Sequence, residues 1–186
     1  MTGERVEPAA IDGRHWQALR DNVAALMRRA GERWAAGGGL LLDIAPQDHA
    51  GARPFFGDDV EIETLDIDPD AGATYVADIT RPIDAIADGR FDFVVCTEVL
   101  EHTLQPFDAV AEIHRVLRPG GLLFLSVPFN FRIHGPLPDC WRFTEHGLRA
   151  LLADFELLEL EALETPDRPL MPIHYTAVAR KRGPAG

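Results

Sequence analysis

The chain has 186 residues, enough for one domain with a substantial core, and a net charge of −12, which argues against nonspecific nucleic-acid binding because phosphates would be repelled. No apolar run approaches the ~20 residues of a membrane span, and the opening stretch, MTGERVEPAAIDGRHW, lacks the apolar segment of a secretory signal. Two cysteines, Cys96 and Cys140, do not make a disulfide framework, so we expect free thiols and a cytoplasmic protein.

The first predicted element is an amphipathic helix. Asp12 is placed to cap its start, and apolar residues at steps of three and four continue to about Ala36, where a run of three glycines stops the pattern. We therefore predict a helical lid over residues 1–39 that packs on the rest of the molecule. The main domain is expected over 40–182 and a disordered tail over 183–186.

After the glycines, short apolar runs alternate with helical patterns. One helix is predicted between Pro106 and Pro119, and another is predicted to be capped by Thr144. Most of the first five strand candidates lack a polar face, as in parallel strands covered on both sides, whereas the last two suggest an antiparallel pair. The fold class is therefore α/β, a doubly wound Rossmann-like sheet of seven strands, mostly parallel with an antiparallel C-terminal strand. The strand candidates are 40–44, 60–65, 74–77, 91–96, 121–127, 156–163 and 174–180.

Acidic residues follow four of these strands. In a doubly wound sheet, ligands bind beyond the carboxyl ends of the strands, at the switch in strand order. Asp66 lies 23 residues after Asp43, close to the spacing at which an acid accepts hydrogen bonds from a ribose diol. Asp78, followed by Ile79, is placed to bind an adenine. The four acids are Asp43, Asp66, Asp78 and Glu98.

Several stretches around these acids resemble one enzyme family. Residues 40–127 resemble the class I S-adenosylmethionine-dependent methyltransferases, especially the small bacterial group often called type 11. The next stretch, HGPLPDCWRFTEHGLRALL, is similar to a segment of bacterial members found with sugar or natural-product pathways. The resemblance extends to about residue 180 and implies a seven-stranded sheet with an antiparallel final strand and S-adenosylmethionine as cofactor. The matching stretches are LLDIAP, TLDIDP, VADIT, FDFVVCTEVLEH and AVAEIHRVLRPGGLLFLSVP.

The resemblance also implies roles for the residues at the strand ends. It implies that Asp66 holds the ribose, that Asp78 and Ile79 hold the adenine, and that Thr97 and Glu98 lie on the methionine side. The predicted cofactor contacts are Asp43, Ala45, Gln47, Asp66, Ile67, Asp78, Ile79, Thr97, Glu98 and Val99.

The turn after the first strand departs from the family pattern of acid-x-Gly-x-Gly, because Ala45 and Gln47 stand at the glycine positions. Glycine there permits close approach and positive φ, whereas alanine is tolerated if its φ stays negative. Glutamine either narrows the methionine pocket or supplies an amide to the carboxylate. Two functions stay open: O- or N-methylation of a small molecule, such as a sugar or natural-product intermediate, and a degenerate, non-catalytic binding or scaffold protein.

The stretch PFNFRIHGPLPDCWRF, residues 128–143, is predicted to form the acceptor wall. It is too long for a simple connection and too aromatic for a disordered loop. His134 is the predicted catalytic base because imidazole titrates near neutrality, and His102 is a second candidate. For Asp139 and Arg142, a polar pair that holds the loop together is an open alternative. The predicted acceptor contacts are Phe129, Asp139, Trp141 and Arg142.

No metal site is predicted. Glu98 and His102 would form an i,i+4 pair if TEVLEH is helical, with Glu101 or His134 nearby, but no dense ligand motif is present. The dinucleotide signature Gly-x-Gly-x-x-Gly is absent as well. The expected partner is a small-molecule acceptor, without nucleic acid or membrane. A homodimer could complete the lid, because the chain has no spare length for a substrate-capping domain.

Overall fold

The computed structural model describes residues 9–46 and 51–183. Within them, seven strands form one sheet, and all are close to the predicted positions. The fifth begins earlier than predicted, because Leu117 already pairs with Phe91 ahead of an irregularity in the ladder. The strands are β1 Gly39–Ile44, β2 Val60–Asp66, β3 Tyr75–Val76, β4 Phe91–Thr97, β5 Leu117–Pro128, β6 Phe155–Leu163 and β7 His174–Lys181.

The sheet order is β3-β2-β1-β4-β5-β7-β6, and the pairs from β3 to β5 are all parallel. Strand β7 runs antiparallel to both of its neighbours, β5 and β6. The predicted fold class is therefore confirmed. The chain leaves β1 toward β2 on one side and returns to β4 on the other, which puts the switch point at the carboxyl ends of β1 and β4.

The main helices are α1 Ala10–Arg29, α2 Pro106–Val116 and α3 Glu145–Leu151, and α1 continues into a π-helical turn over Ala30–Trp34. Thr144 caps α3 as predicted, since its Oγ1 accepts the N–H of Gly147 at 3.1 Å. None of the helices in the described part of the chain has the length and apolar character needed to cross a membrane.

The start of α1 differs from the prediction. Ala9 occupies the N-cap position, and Asp12 lies at the third helical residue. From there the Asp12 carboxylate accepts the N–H of Ala9 at 2.9 Å. The prediction that Asp12 caps the helix is therefore wrong, although Asp12 still satisfies a backbone donor of the first turn.

Two apolar layers cover the sheet. One lies beneath α2 and α3, and the other lies beneath α1, which packs against β5 and β7. Leu41 and Leu42, neighbours on β1, are both buried and belong to opposite layers. The central strands lack a polar face for this reason. Helix α1 and its π-helical turn lie within the segment 1–39, whose role as a lid stays a prediction. Residues 1–8 and most of the predicted tail lie outside the described residues.

Candidate active site

A cleft of about 490 Å³ opens at the carboxyl edge of the sheet, at the ends of β1 and β4. The side of α1 forms one wall, and the ends of the two strands form the floor. The structure therefore brings both predicted histidines together with part of the predicted cofactor site. The predicted residues that line this cleft are Asp43, Ala45, Thr97, Glu98, His102 and His134.

Asp43 lies at the floor of the cleft with its side chain almost wholly buried. Its Oδ2 accepts the N–H of Ala52 at 2.7 Å. Burial raises the pKa of Asp43 to about 6, against the lowering effect of that hydrogen bond. Gly51 has a φ of +54°, and a Cβ there would lie 2.4 Å from the same carboxylate oxygen. Only glycine therefore fits at this position, and Asp43 fixes the segment that follows the first turn.

Ala45 adopts a φ of +50°, the left-handed conformation in which glycine is usual. The negative φ under which alanine would be tolerated is therefore not the one adopted. Its N–H donates to the carbonyl oxygen of Leu65 at 2.7 Å, which holds the turn against β2. The backbone thus keeps a glycine-type shape, at a strain of about 1–2 kcal/mol. Gln47, the second departure from the glycine pattern, lies outside the described residues.

This strain gives a testable expectation. Ala45→Gly should raise the free energy of unfolding by about 0.5–1 kcal/mol, because relief of the left-handed alanine exceeds the added entropy of the unfolded chain. Urea unfolding measures the change. Gly72→Ala is the matched reverse substitution, because Gly72 has a φ of +68° with open space around it. It should destabilise the protein by a similar amount, and a less stable Ala45→Gly protein would contradict the strain.

Glu98 follows β4 in a left-handed conformation, with a φ of +56°. Its Oε1 accepts the Ser126 hydroxyl at 2.8 Å and lies 2.7 Å from Nε2 of His174. Nδ1 of His174 in turn lies 2.9 Å from the amide nitrogen of Asn22 on α1. TEVLEH is therefore not a continuous helix, so Glu98 and His102 do not form an i,i+4 pair. The left-handed backbone at Glu98 turns its side chain toward β5 and β7.

The polar partners of Glu98 were missed in the sequence. Ser126 and His174 interrupt otherwise apolar strands, in LFLSVP and IHYTAVA, and both are fully buried. A buried polar residue in a central strand needs a polar partner. These two residues therefore indicated a buried polar contact in the sequence itself. The second oxygen of Glu98, Oε2, is also buried and has no hydrogen-bond partner among the described residues. It is an unpaired acceptor in a residue that lines the cleft.

The predicted adenosine contacts lie farther along the same edge, outside the lining of the cleft. Oδ1 of Asp66 accepts the N–H of Asp68 at 2.9 Å at the end of β2, and Ile67 beside it is 69% exposed. Oδ1 of Asp78 accepts the N–H and the hydroxyl of Thr80, at 2.9 and 2.7 Å. These side chains are accessible at the sheet edge, as a ribose and adenine site requires.

Ile79 and Val99 face the interior instead. Their relative exposures are 6% and 8%, and both belong to the apolar layer beneath α2 and α3. The expectation that the Ile79 side chain packs on the face of an adenine is therefore not supported. Both residues pack in the core and leave little side-chain surface for a ligand.

The loop over 128–143 is fastened by an internal ion pair. Asp139, whose side chain is inaccessible to solvent, accepts the N–H of His134 at 2.9 Å and a guanidinium N–H of Arg142 at 2.7 Å. Arg142 also donates to the carbonyl oxygens of Phe131 and Arg132. Arg142 holds the pKa of Asp139 down to about 2. The pair holds the loop together, and neither member lines the cleft, so their predicted contact with the acceptor is not supported.

Trp16, which was not singled out, lines the cleft, and Phe131 packs behind it and His134. Phe131 and Trp16 have ring centroids 5.6 Å apart, and each also packs on the ring of His134, at 5.1 and 6.1 Å. Phe129 packs instead on Tyr175, and Nε1 of Trp141 donates to the carbonyl oxygen of Thr103 at 2.8 Å. The wall around His134 is therefore built by α1 and the loop jointly. The predicted acceptor contacts Phe129 and Trp141 lie outside the cleft lining.

His102 and His134 stand side by side at the mouth of the cleft, with ring centroids 4.9 Å apart. Nδ1 of His102 donates to the carbonyl oxygen of Pro138 at 3.0 Å. Nδ1 of His134 lies 3.1 Å from Oδ2 of Asp139. Burial lowers the pKa of His134, although the Asp139 carboxylate opposes this effect. His134 is therefore held as a neutral imidazole at pH 7.

A carboxyl group lies beneath the two rings. Glu101 is fully buried, and its Oε1 lies 3.7 Å from Nε2 of His102 and 3.8 Å from Nε2 of His134. Neither carboxyl oxygen has a hydrogen-bond partner among the described residues. Burial, with the nearby charge of Glu98 as a smaller cause, raises the pKa of Glu101 well above its ordinary range.

A family model described as a methyltransferase domain matches residues 35–125, which span the sheet from β1 into β5. This part of the chain is therefore similar to a methyltransferase domain, and the whole has the class I methyltransferase fold. An uncharacterized methyltransferase of Mycobacterium avium is 33% identical over 138 residues, which cover 66% of this chain and 52% of that protein. The chain thus spans about half the length of the first curated relatives it matches.

Solved structures show the same fold. A Burkholderia thailandensis 1,6-didemethyltoxoflavin-N1-methyltransferase, crystallised with S-adenosylhomocysteine, is 20% identical with a TM-score of 0.60, over 96% of this chain and 93% of that one. The [4+2]-cyclase SpnF is 18% identical with a TM-score of 0.67, over 90% of this chain and 82% of that one. The methyltransferase fold of this chain is thus shared with a protein that is named for a different reaction.

The cleft fits the cofactor of the family, S-adenosylmethionine. Its volume lies within the range of about 300–1,000 Å³ that is typical of small-ligand pockets. Ala45 keeps the left-handed turn that brings the backbone close to a ligand, in spite of its methyl group. The buried, unpaired Oε2 of Glu98 is a suitable partner for an ammonium group. These residues fit the methionine end of the cofactor.

Proposed function

We propose that this protein transfers the methyl group of S-adenosylmethionine to a hydroxyl or amine of a small-molecule acceptor. The observation that carries the proposal is the cleft itself, which the left-handed turn at Ala45, the Glu98 residue and two histidines line together. Sugars and natural-product intermediates are the acceptor classes we favour. A cytoplasmic location without nucleic-acid or membrane partners belongs to the same proposal, and sedimentation would test whether a homodimer completes the lid.

The cofactor is proposed to lie along the carboxyl edge of the sheet. Thr97 and Glu98 face its methionine end from β4, and Asp43 and Ala45 face it from β1. The accessible carboxylate of Asp66 holds the ribose hydroxyls. Asp78, with Ile67 and Gln47 as further contacts, completes the proposed seat.

Methyl transfer is an in-line displacement. The acceptor oxygen or nitrogen forms a bond to the methyl carbon as the bond from that carbon to sulfur breaks, and the sulfonium becomes a neutral thioether. The cofactor is already activated, so the protein mainly aligns the reactants and excludes water. Trp16 lines the cleft and is supported by Phe131, which packs on its ring. A protonated acceptor also loses its proton, and neutral His134 is placed to take it, with His102 beside it.

Calorimetry with S-adenosylhomocysteine tests the proposal directly. Binding with one site per chain is the expected result. An absence of binding of both S-adenosylhomocysteine and S-adenosylmethionine at millimolar concentration would exclude the cofactor and the reaction together. The choice of acceptor then follows from turnover assays with hydroxyl and amine compounds.

Asp66→Ala tests the proposed seat of the ribose. Loss of a charged acceptor for two hydroxyls should cost about 1.5–3 kcal/mol of binding energy. Affinity for S-adenosylhomocysteine should therefore fall by roughly 10-fold to 150-fold. Asp70→Ala is the control, since Asp70 is an exposed acid a few residues farther along the same segment. Equal affinity of the Asp66→Ala protein and the wild type would remove Asp66 from the site.

A second candidate function is a non-catalytic binding or scaffold protein with the same fold, since a fold does not by itself imply a reaction. The observation that favours it is the alanine held in a glycine conformation at position 45. Restoring glycine at both Ala45 and Gln47 separates the two functions. A gain of cofactor binding from none would indicate a degenerate site. Reduced binding would show that Ala45 and Gln47 belong to a working one.

A further inference from the structure

Three potential metal ligands converge at the mouth of the cleft. Oε1 of Glu101 and one ring nitrogen each of His102 and His134 all lie within 4.8 Å of one another. Oε1 is 3.7 Å from Nε2 of His102 and 3.8 Å from Nε2 of His134. Two imidazoles and one carboxylate form a donor set that zinc and similar divalent metals accept.

Glu101 is the residue whose surroundings are incomplete without a cation. Its side chain is wholly buried, and both of its oxygens are without a hydrogen-bond partner among the described residues. A buried, unpaired carboxylate is costly, and an unpaired neutral acid still loses the hydrogen bonds it made to water. The backbone around it is well fixed, because the carbonyl oxygen of Glu101 accepts the N–H groups of Cys140 and Trp141. The loop therefore holds the carboxyl group in place, with its unpaired oxygen Oε1 directed at the two imidazoles.

The two histidines are oriented as metal ligands are. Metal-bound histidines usually direct the other ring nitrogen at a backbone carbonyl or a carboxylate, which fixes the ring and its tautomer. Nδ1 of His102 donates to the carbonyl oxygen of Pro138. Nδ1 of His134 lies 3.1 Å from the Asp139 carboxylate, within ion-pair distance but without the geometry of a hydrogen bond. Both Nε2 atoms are left facing Glu101. A pair of histidines that were only packed together would not need this shared orientation.

We propose that Glu101, His102 and His134 bind one divalent transition-metal ion of the zinc type. In a tetrahedral zinc site, ligand atoms lie about 3.4 Å apart, so the two oxygen–nitrogen pairs need to close by about 0.3–0.4 Å. The ring nitrogens of the two histidines, which lie within 4.8 Å of each other, need to close by up to about 1.4 Å. Three protein ligands leave a fourth position, as in catalytic zinc sites. Both histidines line the cleft, so the open position faces the acceptor.

This inference deepens the acceptor side of the proposed function and rests on it for the choice of acceptor. A metal-bound hydroxyl ionises more readily, so the site would favour acceptors that methylate on a hydroxyl or phenol oxygen. With the ion bound, both Nε2 atoms are occupied, and the acceptor proton passes to water instead of to His134. The cofactor seat along β1 and β4 needs no metal.

The test uses the untagged full chain after treatment with a chelator. Titration with Co²⁺ should give one site per chain and visible absorption bands of low-coordinate Co²⁺, and excess Zn²⁺ should remove the bands. Glu101→Gln, His102→Ala and His134→Ala should each weaken Co²⁺ binding at least about 100-fold, since even supporting residues of metal sites contribute 10-fold to 100-fold. His146→Ala is the control and should bind normally, because His146 is an exposed residue of α3.

Several results would overturn the proposal. The absence of a stoichiometric Co²⁺ site at micromolar protein concentration would exclude it. A Co²⁺ site that survives in all three variants would show adventitious binding only. Full turnover of the chelated enzyme would leave His134 as a direct base and remove the role of the metal in catalysis.

Calorimetry with S-adenosylhomocysteine on the same samples distinguishes failure of the metal proposal from failure of the methyltransferase proposal. Cofactor binding without a Co²⁺ site rejects the metal alone, and loss of both in a folded wild type rejects the methyltransferase proposal as well. If Glu101→Gln does not fold, the two histidine variants at the cleft mouth decide the outcome.

Discussion

His134→Ala is expected to reduce methyl transfer at least about 100-fold while S-adenosylhomocysteine binds with nearly unchanged affinity. The loss follows whether the imidazole takes the acceptor proton itself or holds a metal that ionises the acceptor. The cofactor affinity is spared because His134 lies on the loop after β5, whereas the proposed cofactor contacts lie at or just after the ends of β1, β2, β3 and β4. Turnover and calorimetry on the same protein give the two numbers.

The pH profile adds a readout that a structural role would not move. Burial lowers the pKa of His134 below its ordinary value of 6.5. If the neutral ring is the base, the rate should rise with pH through this lowered pKa and be level above it. The acid limb should be absent from the His134→Ala profile. His146→Ala is the control and should retain the wild-type rate and profile, because the exposed side chain of His146 lies on α3 away from the cleft.

Unchanged turnover with the true acceptor would refute a role for His134 in the reaction. A joint loss of stability and cofactor affinity would instead show that the ring supports the wall it shares with Trp16 and Phe131. Phe131→Leu distinguishes these outcomes, because it loosens the wall without removing the imidazole. It should lower turnover less than His134→Ala does.

The fold was predictable because its signals are local. Each strand candidate is a short run that is apolar or alternates apolar and polar residues, and each falls on an observed strand. The positions of the acids were predictable from the strands, because parallel strands place Asp43, Asp66 and Glu98 at one edge of the sheet. The cap at Thr144 was likewise found from neighbouring residues alone.

The details of the site were less predictable because they depend on distant contacts and on backbone angles. Trp16 reaches the ring of His134 only because α1 packs across β5 and β7. The break at Glu98 depends on a left-handed residue that an apparently helical TEVLEH does not reveal. The Glu101 carboxyl meets His134 through a loop whose path no periodicity specifies.

Removal of the Asp139 carboxylate is expected to have the largest effect on stability. Asp139→Ala should lower the free energy of unfolding by about 2–4 kcal/mol, because it leaves a half-buried Arg142 guanidinium and the N–H of His134 without their acceptor. Chemical unfolding at pH 7 measures this loss. The matched control is Glu145→Ala, which breaks the exposed i,i+4 pair with Arg149 and should cost no more than about 0.5 kcal/mol.

The pH dependence of this contribution has a definite sign. The folded-state pKa of Asp139 is lowered to about 2, below its ordinary value of 3.8, so the carboxylate binds its proton less readily in the folded protein. Its stabilisation is fully present above about pH 4 and is lost as the pH falls through 2. The difference in stability between wild type and Asp139→Ala should therefore narrow between those values. A difference that is constant down to pH 2 would mean that the shape of the side chain, and not its charge, holds the loop.

The same substitution links the loop to the reaction. Asp139 accepts the backbone N–H of His134 and lies against its Nδ1, so its removal should also displace the imidazole that faces Glu101. Turnover should fall in Asp139→Ala at temperatures where the protein is still fully folded. In Asp139→Asn, which retains an oxygen acceptor for that N–H, turnover should fall less. Full activity of Asp139→Ala would show that Trp16, Phe131 and His102 position His134 without help from the ion pair.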